Sequence, residues 1–168
     1  EYLAINPRGT IPTLVPDDDP PLTDFKAIAL WLAERYPRAG LLPDDPQLAA
    51  RAVELLDFAL GQLHGAGFTR IFTAERYLAE PDARARGDVV AHGRDIVAQA
   101  FAALEKRLPA DGYAVGERFT VADAALFYNE FWADRTQIPL PPRVAAHYRR
   151  LRALPEVRQV LAEEGYRS

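Results

Sequence analysis

Two stretches near the start of the chain contain the residue types that bind an amino acid or a peptide. The first is residues 6–15, NPRGTIPTLV. Proline lacks a backbone N–H and therefore suits the first residue of a strand. A cis Ile11–Pro12 bond would turn the Ile11 amide and carbonyl outward as a free strand edge, which can pair with a peptide-like ligand. A plain loop with a trans proline is favoured from this motif alone, because only about 5–6% of X–Pro bonds are cis, but the second stretch reverses that preference.

The second stretch, Leu22-Thr23-Asp24-Phe25, opens a predicted helix. The N-terminus of a helix has unpaired N–H groups and the positive end of the helix dipole, so it can bind a carboxylate. A nearby acidic side chain, here Asp24, can hold an ammonium group. Together the two features would bind the zwitterion of an amino acid. Thr23 or Asp24 acting as an ordinary N-cap is the commoner reason for these residue types, and both interpretations can hold at once.

Other polar side chains have plainer interpretations. A lone histidine among apolar helix residues, as at His64, more often packs in the core or at its rim than takes part in catalysis, and Trp132 taken alone is a core residue. His92 and His147 have no partners at metal-ligand spacing and are interpreted as surface residues. The acidic runs 17–19 and 44–45 fit solvated turns better than a metal site.

Composition narrows the class of protein. Apolar residues make up 49% and charged residues 26% of the 168 residues, as in an ordinary globular protein. The net charge of −4 argues against a general nucleic-acid surface. The absence of cysteine from these residues excludes disulfides and thiolate metal sites, and a reducing cytoplasm is the expected location. No apolar run approaches the roughly 18 residues of a membrane span, so we expect no membrane partner.

The residue pattern changes from strand to helix within the first forty positions. Residues 10–15 and the segment around 21–23 are β-prone and flank a turn rich in Asp and Pro, which predicts a two-stranded hairpin. A hairpin is marginal alone, and the sequence supplies only a helix to cover it, so we expect a missing sheet neighbour upstream. Helical spacing begins at Asp24 and Pro37 ends it.

The rest of the chain is predicted to be helical. Apolar periodicity, breaker residues and N-terminal prolines define five helices. Their approximate extents are 48–63, interrupted near Gly65 and Gly67 and then extended to about Tyr77, a segment that follows Pro81 and ends at 109–112, a segment starting after Thr120, 141–153 and 155–164. The helix after Thr120 is apolar on nearly every side and should therefore cross the centre of the core.

This order of motifs resembles the glutathione transferase family from midway through its thioredoxin-like N-terminal domain to its C-terminus. Residues 116–124, GERFTVADA, are similar to the family's capping motif at the start of the central helix. There Thr120 and Asp123 would form a capping box. The resemblance implies a mostly α fold: an all-helical C-terminal domain preceded by the second half, two strands and a helix, of a thioredoxin-like domain. The implied boundaries are 1–36 for the partial glutathione-binding domain, 37–46 for a linker and 47–168 for the helical domain.

Within the family the sequence looks most like the bacterial beta class. By that resemblance Ile11, preceding Pro12, pairs with the cysteinyl backbone of glutathione, while Asp24 holds its γ-glutamyl ammonium. The helix N-terminus at Phe25 takes the glutathione carboxylate. The residues implied to wall the thiol and the electrophile are His64, Phe68 and Trp132.

Two positions depart from the family pattern. The family usually has Ser or a similarly small polar residue where this chain has Phe25, so a hydroxyl contact to the carboxylate is lost. Such a hydrogen bond to a charged group contributes about 1 to 2 kcal/mol. The beta class has a lysine after the histidine, where this chain has Gly65.

The activity that the resemblance implies is conjugation of the glutathione thiol to a hydrophobic electrophile. Glutathione is then a substrate, no metal is needed, and a homodimer is expected. The thiol-activating residue is expected before Glu1, and His64 is the catalytic candidate within these residues. Glutathione-dependent isomerisation, reductive cleavage or peroxide reduction stays open, as does a non-catalytic binding or assembly module, for which Phe25 is the best argument. The sequence does not identify the electrophile.

Overall fold

The N-terminal part of the chain is a small hairpin packed on one helix. A computed structural model describes residues 1–80 and 82–166. A short helix, α1 (Tyr2–Ile5), precedes strands β1 (Thr13–Leu14) and β2 (Leu22–Thr23), and helix α2 (Phe25–Arg35) follows them. The strands pair antiparallel, with Thr13 opposite Thr23 and Leu14 opposite Leu22. The predicted hairpin is confirmed, although its strands are shorter because prolines at 12, 16, 20 and 21 interrupt the ladder on both sides.

Helices make up the remainder of the described chain. A 3₁₀ turn (Pro37–Ala39) leads to α3 (Pro46–Phe58), which continues without a break into a π-helix (Ala59–Phe68) and then α4 (Thr69–Phe72). After a second 3₁₀ turn (Ala74–Tyr77) come α5 (Ala83–Glu105), α6 (Val121–Arg135), α7 (Pro142–Arg152) and α8 (Pro155–Glu163). The mostly α fold class is therefore confirmed. The helix predicted to continue to about Tyr77 instead ends at Phe72, because Thr73 leaves helical geometry at φ −133° and ψ 44°, and the 3₁₀ turn that follows is a separate element.

One continuous apolar core lies among α3, the π-helix, α5 and α6. Its fully buried large side chains come from each of these elements and include Leu56, Leu63, Phe101 and Leu126. Helix α6 crosses the centre of this core, as predicted from its apolar surface. Ala29 of α2 belongs to the same buried cluster, so the hairpin unit and the helical part share one core.

The start of α6 is fixed by the predicted capping box. The Asp123 carboxylate accepts hydrogen bonds from the Thr120 backbone N–H at 2.7 Å and from the Thr120 hydroxyl at 2.8 Å. Acidic turns elsewhere have similar structural uses. Asp45 caps α3 by accepting from the N–H groups of its first turn, and Asp44 pairs with Arg118 at 2.9 Å.

The interpretation of His147 as a surface residue is wrong. Its side chain lies in the core with 5% of the residue exposed, between the carboxylates of Glu130 at 2.8 Å and Asp123 at 3.0 Å. Burial alone would lower the pKa of His147, but the hydrogen bonds with Asp123 and Glu130 outweigh it and raise the pKa to about 9. His92 is exposed, as expected.

Neither a membrane span nor a metal cluster is present in the described part of the chain. Across residues 1–80 and 82–166, none of the helices is both long and apolar enough to cross a bilayer. Over the same ranges there is no cluster of three or more His, Cys, Asp or Glu side chains arranged to hold a metal ion.

Candidate functional site

The loop before β1 presents a free stretch of backbone. The Ile11–Pro12 bond is cis, and Ile11 is 85% exposed. Among the residues that the structure describes, no hydrogen bond reaches the Ile11 amide or carbonyl. The adjacent Thr10 carbonyl, in contrast, is held by two side chains, Asn6 Nδ2 at 2.7 Å and the Tyr2 hydroxyl. The structure thus has the outward backbone edge that the sequence motif suggested.

Asn6 and Tyr2 are the residues that sequence reasoning missed at this loop. Asn6 is 1% exposed, and its amide also reaches Thr13, while its carbonyl accepts from the Arg8 N–H. A buried asparagine must satisfy several donors and acceptors at once, which fixes the loop around it. The signal was present in the Asn-Pro pair, which favours the initiation of a turn.

The N-terminus of α2 has no side-chain cap. Asp24 occupies the N-cap position with φ 70° and ψ 126°, a region that non-glycine residues seldom adopt, and its carboxylate does not cap the helix. Asp24 instead pairs with Arg8 at 2.8 Å on the protein surface. The first backbone hydrogen bond of the helix is from the Ile28 N–H to the Asp24 carbonyl, which leaves the N–H groups of the first turn available to a ligand.

The register of the hairpin places these two features together. Because Thr13 lies opposite Thr23, the residues before β1 and after β2 are at the same end of the hairpin. The free backbone at Ile11 and the uncapped turn at Asp24 therefore adjoin each other.

Phe25, the first residue of α2, makes an apolar contact. Its ring is half-buried and packs against the core cluster. The neighbouring Lys26 forms an ion pair with Asp57 near the end of α3. The first turn of α2 is consequently anchored to the helical part just where the π-helix begins.

His64 and the aromatic side chains predicted to surround it lie in contact. His64 Nδ1 and the Tyr128 hydroxyl are 2.6 Å apart, and the rings of His64 and Trp132 have centroids 5.5 Å apart. Burial lowers the pKa of His64, so the imidazole is neutral at pH 7. Burial also raises the pKa of Tyr128, so its hydroxyl keeps its proton. Tyr128 was not identified from the sequence.

The aromatic wall continues on the π-helix side. Phe68 meets Trp132 edge-on at 5.5 Å and stacks on Phe72 at 5.9 Å, while Phe72 meets Trp132 at 4.6 Å. Phe68 is fully buried, whereas Phe72 is 46% exposed. Of these two phenylalanines, Phe72 is the one that a ligand can reach, and Phe68 packs against it.

A π-helix positions His64 and Phe68. The sequence around Gly65 and Gly67 predicted an interruption, but the helix persists there with wider turns, which are uncommon and are frequent at functional sites. Glycine permits close packing on α5: a Cβ at Gly67 would lie 2.4 Å from Cγ2 of Val97, and a Cβ at Gly93 would lie 3.0 Å from the Gly67 carbonyl oxygen.

Known proteins match both parts of the chain. The family model described as the glutathione S-transferase N-terminal domain matches residues 1–35, and the one described as its C-terminal domain matches residues 81–150. The chain is 32% identical to glutathione S-transferase GstA of Escherichia coli, covering 98% of this chain and 79% of that protein. It is 31% identical to a maleylacetoacetate isomerase of Pseudomonas aeruginosa, covering 85% of this chain and 66% of that protein.

Solved structures of similar proteins share the fold. A glutathione S-transferase from Xylella fastidiosa superposes with a TM-score of 0.87 at 25% identity, covering 99% of this chain and 81% of that one. A maleylacetoacetate isomerase from Methylobacterium extorquens, solved with malonate and glutathione bound, superposes with a TM-score of 0.82 at 28% identity. The superposition covers 99% of this chain and 80% of that one. A bacterial beta class glutathione S-transferase from Sphingomonas chungbukensis superposes with a TM-score of 0.78 at 28% identity. The superposition covers 98% of this chain and 78% of that one.

One family model matches α1, the hairpin and α2, the other matches the chain from residue 81 into α7, and the 32% identity to GstA covers 98% of the chain. By sequence and by fold, the chain belongs to the glutathione S-transferase family.

Proposed function

We propose that the protein is a glutathione-dependent enzyme that joins the glutathione thiol to a hydrophobic electrophile. The observation that carries this proposal is the meeting of a free backbone edge at Ile11 with an uncapped helix N-terminus beside the Asp24 carboxylate. Glutathione has one group for each feature: a peptide backbone, a carboxylate and an ammonium.

The proposed binding mode follows from these matches. The cysteinyl N–H and C=O of glutathione pair with Ile11, next to the cis Pro12. The γ-glutamyl carboxylate accepts from the free N–H groups of the first turn of α2, at Phe25 and beyond, and gains from the helix dipole. Asp24 holds the ammonium through the carboxylate oxygen that Arg8 does not engage. A solved relative, the Methylobacterium isomerase, contains bound glutathione.

The aromatic wall is the proposed place for the electrophile. Phe72 offers an exposed ring, Phe68 and Trp132 support it, and His64 supplies a polar edge. The thiolate of glutathione attacks the electrophilic carbon, a sulfur–carbon bond forms, and the displaced electron pair leaves with a leaving group or is protonated by solvent. Apolar walls around the reacting atoms limit hydration of the thiolate and favour its attack.

Isomerisation is a second candidate because a relative at 31% identity is a maleylacetoacetate isomerase. An isomerase adds glutathione to a conjugated double bond and then eliminates it, so no glutathione is consumed. Assays with an enone, a haloarene and a cis-dienone, each with the remaining thiol measured, distinguish the two reactions. Product formed with loss of thiol indicates conjugation, whereas product formed at constant thiol indicates isomerisation.

Calorimetric titration of the protein with glutathione tests the binding mode. We expect saturable binding, and Asp24→Asn should weaken it by about tenfold or more, since a hydrogen bond between charged groups contributes about 1.5–3 kcal/mol. Asp44→Asn is the matched control, because Asp44 is also exposed and also pairs with an arginine, but lies on the loop before α3. An absence of binding at millimolar glutathione would contradict the transferase and isomerase proposals and favour a non-catalytic module.

A further inference from the structure

The hydrogen bond between His64 and Tyr128 has two possible directions. Either the Tyr128 hydroxyl donates to a bare Nδ1, or it accepts from an Nδ1–H. The choice decides which nitrogen of neutral His64 carries the proton, and hence whether the free edge of the ring donates or accepts.

The need to satisfy the phenol O–H selects the first direction. Within the described part of the chain, the Tyr128 hydroxyl has no hydrogen-bond partner besides His64. If it accepted from Nδ1–H, its own O–H would have no protein acceptor among the described residues and would have to turn to solvent, and the better donor of the pair would go unused, since a phenol is a stronger acid than a neutral imidazole N–H. If it donates, the O–H is satisfied, and the remaining imidazole N–H is at Nε2. That atom is not among the buried side-chain atoms that lack a partner, so it reaches solvent.

The ring of His64 is also held in place. Tyr128 and Trp132 are one turn apart on α6, their rings are 4.4 Å apart, and both lie against the imidazole at 5.4 and 5.5 Å. The hydrogen bond fixes one edge of the ring, and the two aromatic rings restrict its tilt. The direction of Nε2 is therefore set by α6 as well as by the π-helix.

We propose that Tyr128 is a positioning residue that holds neutral His64 with its proton on Nε2, so that His64 presents a fixed hydrogen-bond donor to the ligand. Burial keeps His64 uncharged and Tyr128 protonated, and among the described residues no charged side chain contributes to the lowered pKa of His64.

The donor has a specific use if the proposed function is right, and that part of the inference rests on it. In an electrophile with a carbonyl conjugated to the reacting carbon, thiolate attack forms the sulfur–carbon bond and moves the π electrons onto the carbonyl oxygen. A preoriented N–H stabilises that developing negative charge, and solvent then protonates the enolate. The expected substrate class is accordingly conjugated carbonyl compounds with an apolar body.

Nitrogen-15 NMR of the imidazoles tests the tautomer without any glutathione. The chain has three histidines, and His64→Gln assigns the signal. We expect neutral His64 in the wild-type protein to be protonated at Nε2. In Tyr128→Phe, which keeps the ring beside Trp132, we expect a mixture of tautomers and a higher His64 pKa, because the phenol no longer donates to the neutral imidazole. Tyr148→Phe, which removes a hydroxyl bound to Asp134, is the control and should leave His64 unchanged.

Protonation at Nδ1 in the wild-type protein would overturn the proposal even if the variant failed to fold. An unchanged tautomer in folded Tyr128→Phe would overturn it too. The kinetic readout is separate: Tyr128→Phe should lower kcat/KM for an enone by about three- to tenfold, and it should have no further effect in the His64→Gln background. If His64 is protonated at Nε2 but the protein shows no activity with glutathione, the positioning role of Tyr128 stands and the proposed function is wrong.

Discussion

Asp123 accepts four hydrogen bonds through two carboxylate oxygens. Its partners are the Ala114 N–H at 2.7 Å, His147 Nε2 at 3.0 Å, and the backbone N–H and hydroxyl of Thr120. The helix cap, the preceding loop and α7 therefore depend on one buried side chain. Deleting a single donor removes one of these bonds, whereas deleting the carboxylate leaves several buried groups unpaired.

This difference gives a ranked prediction. Thr120→Ala should lower the free energy of unfolding by about 1 kcal/mol, the usual value for a lost helix cap. Asp123→Ala should lower the free energy of unfolding by about 3–5 kcal/mol, because it leaves His147 Nε2 and two backbone N–H groups without an acceptor in the core. Urea denaturation followed by circular dichroism measures both values. If the two variants lowered the free energy of unfolding equally, Asp123 would do no more than cap α6.

Phe25 is predicted to affect stability and binding in opposite directions. Phe25→Ser removes a half-buried ring from the core and should cost about 1–2 kcal/mol of stability. It also adds a hydroxyl beside the proposed carboxylate site and should tighten glutathione binding by about three- to tenfold. Thermal denaturation measures the loss of stability, and calorimetric titration measures the affinity for glutathione.

Phe25→Ala is the control for this variant, since it removes the same ring without supplying a hydroxyl. Its stability should fall as in Phe25→Ser, and its affinity for glutathione should stay at the wild-type value. The placement of the carboxylate at the first turn of α2 is wrong if the serine and alanine variants bind glutathione equally.

At the scale of elements, the π-helix depends on glycine where it meets α5. A Cβ at Gly67 would overlap Cγ2 of Val97 at 2.4 Å, so Gly67→Ala should destabilise the protein by about 1–3 kcal/mol. At Gly61, in the same π-helix, an added Cβ would have nothing within 4 Å, and Gly61→Ala should be neutral or stabilise by up to about 1 kcal/mol. Thermal denaturation of both variants makes the comparison.

Val97→Ala provides a second check on this contact. Combined with Gly67→Ala it removes the overlapping methyl group, so the double variant should cost less than the sum of the two single variants. Strict additivity would contradict a direct clash between the two helices.

Most elements could be predicted because their signals are local. The capping residues at Thr120 and the proline that ends α2 act within one turn of helix, and both predictions are confirmed. The π-helix could not be predicted in the same way: a run with Gly65 and Gly67 resembles a break, and the contact with Val97 that makes glycine necessary lies thirty residues away in the sequence. The domain boundaries at 36 and 46 remain predictions.

The residues of the candidate site could be predicted from the sequence only in part. The residues taken from the family resemblance, His64, Phe68 and Trp132, do lie in contact. The sequence did not indicate Tyr128, because its role depends on a hydrogen bond across 64 positions. His147 was misassigned for the same reason, since spacing within one helix says nothing about carboxylates on another.

At the scale of the whole molecule, His147 makes stability depend on pH. In the unfolded chain a histidine has its ordinary pKa near 6.5, whereas in the fold the carboxylates of Asp123 and Glu130 raise the pKa of His147 to about 9. The folded state therefore binds a proton more tightly than the unfolded state. The stabilisation is fully present below pH 6.5 and is lost as the pH rises through 9.

We expect the free energy of unfolding to fall between pH 6.5 and 9, by on the order of 3 kcal/mol at most. Urea denaturation at half-unit steps of pH measures this slope. His147→Gln should be less stable at pH 6.5 and should show a smaller slope over the interval, because the proton that His147 binds in the folded state is gone, while burial still raises the pKa of Glu130. His92→Gln, which alters an exposed histidine, should keep the wild-type slope. If His147→Gln kept that slope as well, the proton would have to be bound elsewhere, and the buried imidazole would be neutral.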